Sequence, residues 1–385
     1  MPNLFHRPDL AQRLVRQILQ SAGGGSEASG VFLAAPRRTG KSTFVREDLR
    51  PAFQAAGALV VYADLWADQS ADPGAVIIKA IQAKLAESDG AVLRLAKSLG
   101  LNKITVGGAA SFDLDRIGLG KDVSVTDALV ALSDETKKMI VLVVDEAQHA
   151  ITTDAGINAL FALKAARDEL NSSQHFGLRI VCTGSNRDKL AMLRTSKDQA
   201  FYGAPMVNFP MLGRDFVEWY RKTVDLPFKL DTDRVWKLFQ EAGHRPELLG
   251  AATSQLRFDF EVDGTNGQDK FDAEVRRAVE ELNTAQRQVI RNLTPIQQAV
   301  LRVIAATGDQ YAPFEAKTLP KYRAAMESSG VAQEDAKVDV PAVQQALIAL
   351  QEKKLVWKAA RGVYDLEENS LKDILAADGL LDGLA

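Results

Sequence analysis

Cysteine and histidine are scarce in this sequence, which contains only Cys182 and four histidines. A single cysteine cannot form a disulfide within the chain. This usage is typical of proteins in a reducing compartment, so we expect a cytoplasmic protein. The histidines are His6, His149, His175 and His244. They are scattered and do not combine with a cysteine at the spacing of zinc ligands, so a structural zinc site is not expected.

Long apolar segments and an excess of either charge are also missing. No run approaches the about 20 apolar residues that a membrane-spanning helix needs. The first residues, MPNLFHRPDL, lack the charged-then-apolar order of a signal peptide. Because 47 basic and 50 acidic residues nearly cancel, any surface for nucleic acid must be local. The 385 residues, 46% of them hydrophobic, are enough for two or three domains.

The first part of the chain alternates short apolar runs with helical patterns. The apolar runs that predict strands are residues 31–35, 58–64, 139–145, 178–184 and 206–209, and the helical patterns are residues 9–22, 74–87, 125–137 and 156–170. Such alternation predicts a three-layer α/β domain with a parallel sheet and right-handed crossovers. Residues 103–114 interrupt the alternation and are predicted to form a small hairpin or strand insert outside the main sheet.

After residue 212 helical patterns predominate. They cover residues 214–256, 271–290, 294–306 and 339–354, and residues 355–366 then predict two short strands around Gly362. Asp339 is the predicted N-cap of the helix over 339–354, with Pro341 in its first turn. Helices followed by a small hairpin are typical of a winged helix, which we expect in the C-terminal part of the chain.

The stretch APRRTGKS, residues 35–42, is the strongest chemical signal. It fits the phosphate-binding pattern G-x-x-x-x-G-K-[ST], except that Ala35 replaces the first glycine. Gly40 allows the backbone to approach a phosphate, Lys41 supplies a positive charge, and Ser42 offers a hydroxyl to Mg²⁺. The helix that follows directs its positive end at the same anion. The predicted nucleotide contacts are Pro36, Arg37, Arg38, Thr39, Gly40, Lys41, Ser42 and Thr43.

A second signal is VLVVDEAQH, residues 141–149, in which apolar residues carry Asp145 and Glu146 to the end of a predicted buried strand. Open α/β sheets bind ligands at this edge. Asp145 is predicted to hold Mg²⁺, directly or through water, and Glu146 to orient and polarise the attacking water as general base. Together with the phosphate loop, this pair predicts an ATPase that uses ATP and Mg²⁺.

The two motifs resemble those of the AAA+ superfamily of P-loop ATPases. The resemblance is to its origin-recognition-like branch and to the archaeal and bacterial ATPases with a winged helix. The sequence FHRPDL, residues 5–10, is similar to the F-x-G-R-x-x-E-L box that touches adenine in this superfamily. His6 stands in place of its glycine, and Asp9 supplies an acid near its glutamate. The resemblance implies that Arg7 contacts the nucleotide.

The resemblance also implies a domain order and further site residues. It divides the chain into an α/β core at 1–212, a helical lid at 213–290 and a winged-helix domain at 291–385. A polar sensor of the γ-phosphate is expected at Ser185 or Asn186, and the resemblance does not decide between these two residues. AGHRPELL is similar to the second sensor at the start of a lid helix, so Arg245 would reach the γ-phosphate. Arg187 and Arg194 are candidate arginine fingers, although both could equally be solvated helix charges.

These features favour an ATP-driven switch whose nucleotide state controls DNA or partner binding through the winged helix. The side chains that could contact DNA are Lys353, Lys354, Lys358 and Arg361 for phosphates, and Gln344 and Gln345 for base edges. Against DNA, residues 290–385 carry 11 basic and 13 acidic residues, a net of −2. The alternative is a STAND-like signalling or scaffold ATPase that holds ATP and acts through protein partners, as a monomer or a homo-oligomer.

Overall fold

The computed structural model of the protein describes residues 4–20, 29–68, 70–98, 124–172, 174–195, 199–330, 338–360, 363–367 and 370–384. The insert predicted at 103–114 lies outside these residues. The chain divides into two compact units, Met1–Trp219 and Tyr220–Ala385. Among the described residues, no helix is both long and apolar enough to cross a bilayer.

The first unit alternates helices and strands, as the sequence predicts. Its elements are α1 (Pro8–Leu19), β1 (Val31–Ala34), α2 (Lys41–Phe44), α3 (Arg50–Ala55), β2 (Leu59–Asp64), α4 (Pro73–Ala86), α5 (Asp89–Ser98), α6 (Val125–Thr136), β3 (Ile140–Asp145), α7 (Asp154–Leu170), β4 (Leu178–Gly184), α8 (Arg187–Ala191), β5 (Met206–Asn208) and α9 (Arg214–Thr223), within which the division falls. The five predicted strands are confirmed, with ends that differ by a residue or so.

The five strands form one parallel sheet in the order β2-β3-β4-β1-β5. Every residue of β1 and β3 is buried, as expected for parallel strands covered on both faces. Ile140, Leu142 and Val144 pack in a core with α4, α6 and α7. Val141 and Val143 pack on the other face, in a core with α1, α2 and α3. Two cores on opposite faces of one sheet are the three layers that the alternation predicts.

The strand register brings the carboxyl ends of the strands to one edge of the sheet. Asp64 at the end of β2 lies beside Asp145 at the end of β3. Ala34 at the end of β1 lies beside Gly184 at the end of β4. The phosphate loop follows β1 directly, so it starts at the edge where Asp145 ends its strand.

The helix after the phosphate loop contains a π-helical turn. This turn, Val45–Leu49, joins α2 to α3, and the Arg50 N–H bonds to the Val45 carbonyl five residues back. Pro51 explains the irregularity, since proline has no N–H and its ring clashes with the carbonyl four residues before it. The wider turn accommodates both effects without ending the helix.

The described part of the second unit is helical apart from one hairpin and the connecting loops. Its elements are α10 (Thr232–Glu241), α11 (Pro246–Arg257), α12 (Gly267–Arg291), α13 (Pro295–Thr307), α14 (Leu319–Glu327), α15 (Val340–Glu352), β6 (Val356–Ala360), β7 (Val363–Leu366) and α16 (Ser370–Ala377). The strands β6 and β7 pair antiparallel. Asp339 caps α15 by accepting from the Ala342 N–H, as predicted. Residues from Ile290 onward share one hydrophobic core, in the order expected for a winged helix.

Arg302 is a buried arginine in the core of this winged-helix region, with only 3% of its surface exposed. Its guanidinium donates to the carbonyls of Leu380 and Ala325, each at 2.7 Å. It also donates to the hydroxyls of Ser328 and Ser329, each at 2.8 Å. One side chain therefore connects α13 with the end of α14 and with the turn that follows α16.

Replacing Arg302 should destabilise this region strongly. Arg302→Met fills similar space but leaves buried carbonyls without a donor, so we expect a loss of about 2–4 kcal/mol in the free energy of unfolding. Urea unfolding of the full chain, followed by circular dichroism, measures the loss. The matched control is Arg323→Met, because Arg323 is exposed on α14. Equal unfolding midpoints for the two variants would contradict a stabilising role of the buried network.

Candidate active site

The phosphate loop connects β1 to α2 and is shaped by its backbone angles. Gly40 has a φ of 84°, in the left-handed region where a side chain is strained, and Arg38 also has a positive φ of 62°. The Thr39 hydroxyl donates to the Pro36 carbonyl at 2.7 Å and closes the loop. Successive amides in such alternating conformations form the kind of concavity that binds anions.

Ala35 occupies the position at which the phosphate-loop pattern has its first glycine. Ala35 is not among the residues with a positive φ, so the backbone here does not require glycine. Its side chain is buried, and its N–H donates to the Gly184 carbonyl at 3.2 Å. An alanine is therefore compatible with the loop conformation.

Lys41 lies at the centre of a buried polar cluster. Its Nζ donates to Asp145 Oδ1 and Glu146 Oε1, each at 2.9 Å, and to Thr183 Oγ1 at 3.0 Å. Lys41 and Asp145 expose only 4% and 1% of their side chains. A buried cation between two carboxylates is stable only because all three charges are paired and hydrogen-bonded.

Asp145 is an ionised carboxylate surrounded by donors. Oδ2 accepts from the Tyr62 hydroxyl at 3.1 Å, and Oδ1 accepts from Thr183. Burial is the largest influence and raises the pKa of Asp145. The charge of Lys41 and the hydrogen bonds from Thr183, Lys41 and Ser42 together outweigh it, so the pKa lies below its ordinary value. Burial and the neighbouring Asp145 raise the pKa of Tyr62, which stays protonated as a donor.

Glu146 follows β3 directly, in a left-handed conformation with a φ of 54°. Its Oε2 accepts from the Ser185 hydroxyl at 2.7 Å and from the Gln148 amide at 2.5 Å. Burial again raises the pKa most, but Lys41, Ser185 and Gln148 together lower the pKa of Glu146 below its ordinary value. The turn thus presents an ionised carboxylate whose two oxygens are both held.

No protein-family model and no curated protein sequence matches the chain. Solved structures do share its fold. The ORC2 protein of Aeropyrum pernix in its ADP form has a TM-score of 0.56 and 18% identity, over 100% of this chain and 96% of that chain. The same protein with ADPNP and ADP has a TM-score of 0.51 and 17% identity, over 99% and 95% of the two chains. The chain has the fold of origin-recognition AAA+ proteins. Identities this low establish a common fold and no more.

Within this AAA+ fold, Ser185 and Asn186 have different surroundings. Ser185 contacts Glu146, and its hydroxyl accepts from Arg37 Nε of the phosphate loop at 3.3 Å. Asn186 is buried, and its side-chain oxygen accepts from the Lys189 N–H at 3.0 Å, which caps α8. The structure therefore brings Ser185 to the site and gives Asn186 a role in starting a helix.

The segment FHRPDL, residues 5–10, packs within the first unit. Arg7 donates to the Pro210 carbonyl at 2.7 Å, and its guanidinium lies 5.0 Å from the ring centroid of Phe209. The Arg7 N–H donates to the Asp48 carboxylate at 3.1 Å, and His6 Nδ1 lies 2.8 Å from the same group. These contacts hold residues 5–10 against the π-helical turn and the segment after β5. A contact of Arg7 with adenine stays a prediction.

The three remaining arginine candidates lie in other surroundings. Arg187 donates to the Asn208 side chain, and Arg194 donates to the Ala204 carbonyl. Arg245 belongs to the second unit, where it precedes α11 and pairs with Glu247 at 2.6 Å. A finger role for Arg187 or Arg194 and a sensor role for Arg245 stay predictions.

Three contributors to the site were missed by the sequence reasoning, namely Tyr62, Gln148 and Thr183. Thr183 could have been predicted, because a polar residue near the carboxyl end of a predicted parallel strand lies at the edge of the sheet that binds ligands. Gln148 stands two residues after Glu146 and carried a weaker signal. Tyr62 lies inside β2, where an aromatic residue is ordinary, so nothing in the sequence distinguishes it.

Acid should destabilise the first unit through Asp145 and Glu146. Their folded pKa values lie below the 3.8 and 4.5 of the unfolded chain, so the unfolded state takes up protons first as the pH falls. The stabilisation is complete above about pH 4.5 and is lost as the pH falls through the lowered, folded pKa values. Urea unfolding at a series of pH values measures the effect. Asp145→Asn should lose less stability on acidification, and an unchanged slope in that variant would contradict the assignment.

Proposed function

We propose that this chain binds ATP with Mg²⁺ and hydrolyses it. One observation carries the proposal: Lys41, Asp145 and Glu146 form a single buried cluster at the carboxyl edge of the sheet, beside the start of α2. Solved structures of the Aeropyrum pernix ORC2 protein, which has this fold, contain ADP or ADPNP. That is a property of the neighbour, and it supports nucleotide binding here.

The residues present fit a magnesium ion. The Ser42 hydroxyl contributes to lowering the pKa of Asp145, which places it near that carboxylate. Hard oxygen ligands of this kind suit Mg²⁺. We propose that Ser42 and Asp145 hold the ion, which would neutralise charge on the phosphates. Lys41 and the amides of residues 38–42 would bind the phosphate oxygens.

Glu146 is the proposed general base. It is ionised at neutral pH, as a general base must be, although the lowered pKa makes it a weaker proton acceptor than an ordinary glutamate. Ser185 and Gln148 fix the orientation of one of its oxygens. Because Arg37 of the phosphate loop also contacts Ser185, a change in the loop can reach Glu146 through one side chain.

We propose that nucleotide state is read out by the residues after the α/β core, with residues 213–290 as a lid and 291–385 as a winged-helix domain. Arg245 would sense the γ-phosphate from the lid. On α15, Gln344 and Gln345 are exposed, and Lys353 and Lys354 follow the helix in exposed positions. These groups support contact with duplex DNA. Lys358 and Arg361 lie where no side chain is described.

A protein partner is the second candidate, and α15 itself favours it. Val340 and Ile348 are 42% and 49% exposed, eight positions apart and therefore on one face of the helix. Exposed apolar side chains on such a face are typical of protein contact rather than phosphate contact. In this case the ATPase would act as a STAND-like signalling or scaffold protein.

Phosphate release from ATP, with and without duplex DNA, tests the proposal and separates the candidates. Turnover that rises with DNA supports the DNA switch, and turnover that ignores DNA supports the protein-partner alternative. DNA retention should also fall steeply, by about a thousandfold for six or more phosphate contacts, between low and physiological salt. Absence of both ATP binding and turnover would contradict the proposed function.

A further inference from the structure

The segment between α11 and α12, residues 258–266, exposes two aromatic side chains. Phe258 and Phe260 are 78% and 97% exposed, far more than the other large apolar residues that the structure describes. A phenylalanine this exposed buries little apolar surface in its own unit and therefore contributes little to the stability of that unit. We call residues 258–266 the aromatic loop.

Hydrogen bonds define the shape of the aromatic loop. Asp259 Oδ2 pairs with Lys270 Nζ at 2.7 Å, and Asp259 Oδ1 accepts from the Glu261 N–H at 2.9 Å. The Asn266 amide donates to the Glu261 carbonyl at 2.9 Å. Asp263 accepts from the N–H groups of Thr265 and Asn266. The loop therefore presents its two phenylalanines among acidic residues.

The first unit contains a pocket of complementary character. It has a volume of about 220 Å³ and lies between α1 and the edge strand β5. Its apolar lining includes Leu10, Leu14, Val207 and Phe209, and Arg13 also lines it. We call it the α1–β5 pocket. Arg16 is exposed one turn further along α1, so basic side chains stand at and near the pocket.

We propose that the aromatic loop of one copy of this chain inserts into the α1–β5 pocket of a second copy. An apolar pocket of this volume accommodates one aromatic side chain, and aromatic anchors in apolar pockets dominate protein interfaces. The carboxylate of Glu261 would face Arg13 and give the contact a favourable charged rim, while Asp259 stays paired with Lys270. Each copy carries one loop and one pocket, so two copies can exchange loops reciprocally in a closed dimer, or the contact can run head-to-tail into a ring or a filament.

This proposal does not rest on nucleotide binding or hydrolysis. It is tested by sedimentation of the full chain over concentrations from about 1 to 100 μM. The loop variant is Phe258→Ser with Phe260→Ser, and the pocket variant is Val207→Glu at a half-exposed position. We expect each to raise the dissociation constant of self-association by at least about tenfold. Arg13→Glu is a second pocket variant, in case Val207→Glu does not fold.

Mixing the two variants is the decisive arm of the experiment. The loop variant keeps its pocket and the pocket variant keeps its loop, so the mixture should form dimers that cannot grow further. Phe314→Ser, which removes another exposed phenylalanine of the second unit, is the matched control and should associate like the wild type. The proposal is overturned if the wild type stays monomeric, if the loop variant associates normally, or if the mixture forms no dimer.

Discussion

Lys41→Met is expected to abolish ATP binding at micromolar nucleotide. The substitution keeps an unbranched side chain of similar length and removes the charge that would bind the phosphates. Truncating one partner of a buried charge pair costs about 2–5 kcal/mol, so we expect the affinity to fall by at least about 30-fold. Isothermal titration of the full chain with ATP and Mg²⁺ measures the loss.

The same substitution should also affect the protein without nucleotide. Lys41 lies between Asp145 and Glu146, and its removal leaves two buried carboxylates without their cation. Such a change costs about 3–5 kcal/mol of stability or protonates one carboxylate. Urea unfolding therefore has to accompany the titration. Lys237→Met is the matched control, since Lys237 is exposed on α10. If the Lys41→Met protein folds and binds ATP with wild-type affinity, the phosphate loop is not part of the nucleotide site.

Glu146→Gln is expected to bind ATP and to lose turnover. Glutamine preserves the size of the side chain and can still accept from Lys41, but it cannot take a proton from water. Loss of a general base lowers turnover by about 10²–10⁴-fold. Phosphate release at saturating ATP measures this, and titration with ATP measures the retained affinity. Glu47→Gln changes an exposed glutamate on the helix after the phosphate loop and should leave turnover unchanged.

Lys41→Met and Glu146→Gln are expected to affect ATP binding and turnover differently, so an unexpected result shows which residue has been assigned the wrong role. Loss of binding in Lys41→Met with normal turnover in Glu146→Gln would keep the nucleotide site and move the base to another residue. Equal loss of binding in both would indicate that the carboxylate cluster acts by holding the loop in shape. Only retained binding with lost turnover in Glu146→Gln assigns Glu146 to the chemical step.

The sheet and the core of the site could be predicted from the sequence because both depend on local patterns. Apolar runs that alternate with helical periods define buried parallel strands without knowledge of the neighbours. Gly40, Lys41 and Ser42 belong to one contiguous motif, and Asp145 ends an apolar run. Each of these predictions depends on a few consecutive residues, so it does not require knowledge of the strand order in the sheet.

The tertiary structure decided which side chains surround those residues. Thr183 reaches Lys41 and Asp145 because β4 lies next to β3 in the sheet. Ser185 rather than Asn186 contacts Glu146 because Glu146 adopts a left-handed turn and Asn186 caps a helix. Strand order and turn angles depend on packing across the whole unit, and two adjacent polar residues do not differ in local pattern. The sequence by itself therefore determined the fold class and the identity of the phosphate loop and its carboxylates. Only packing between distant segments determined which side chains contact these residues. The same packing determined the lowered pKa values of Asp145 and Glu146 and the exposure of Phe258 and Phe260.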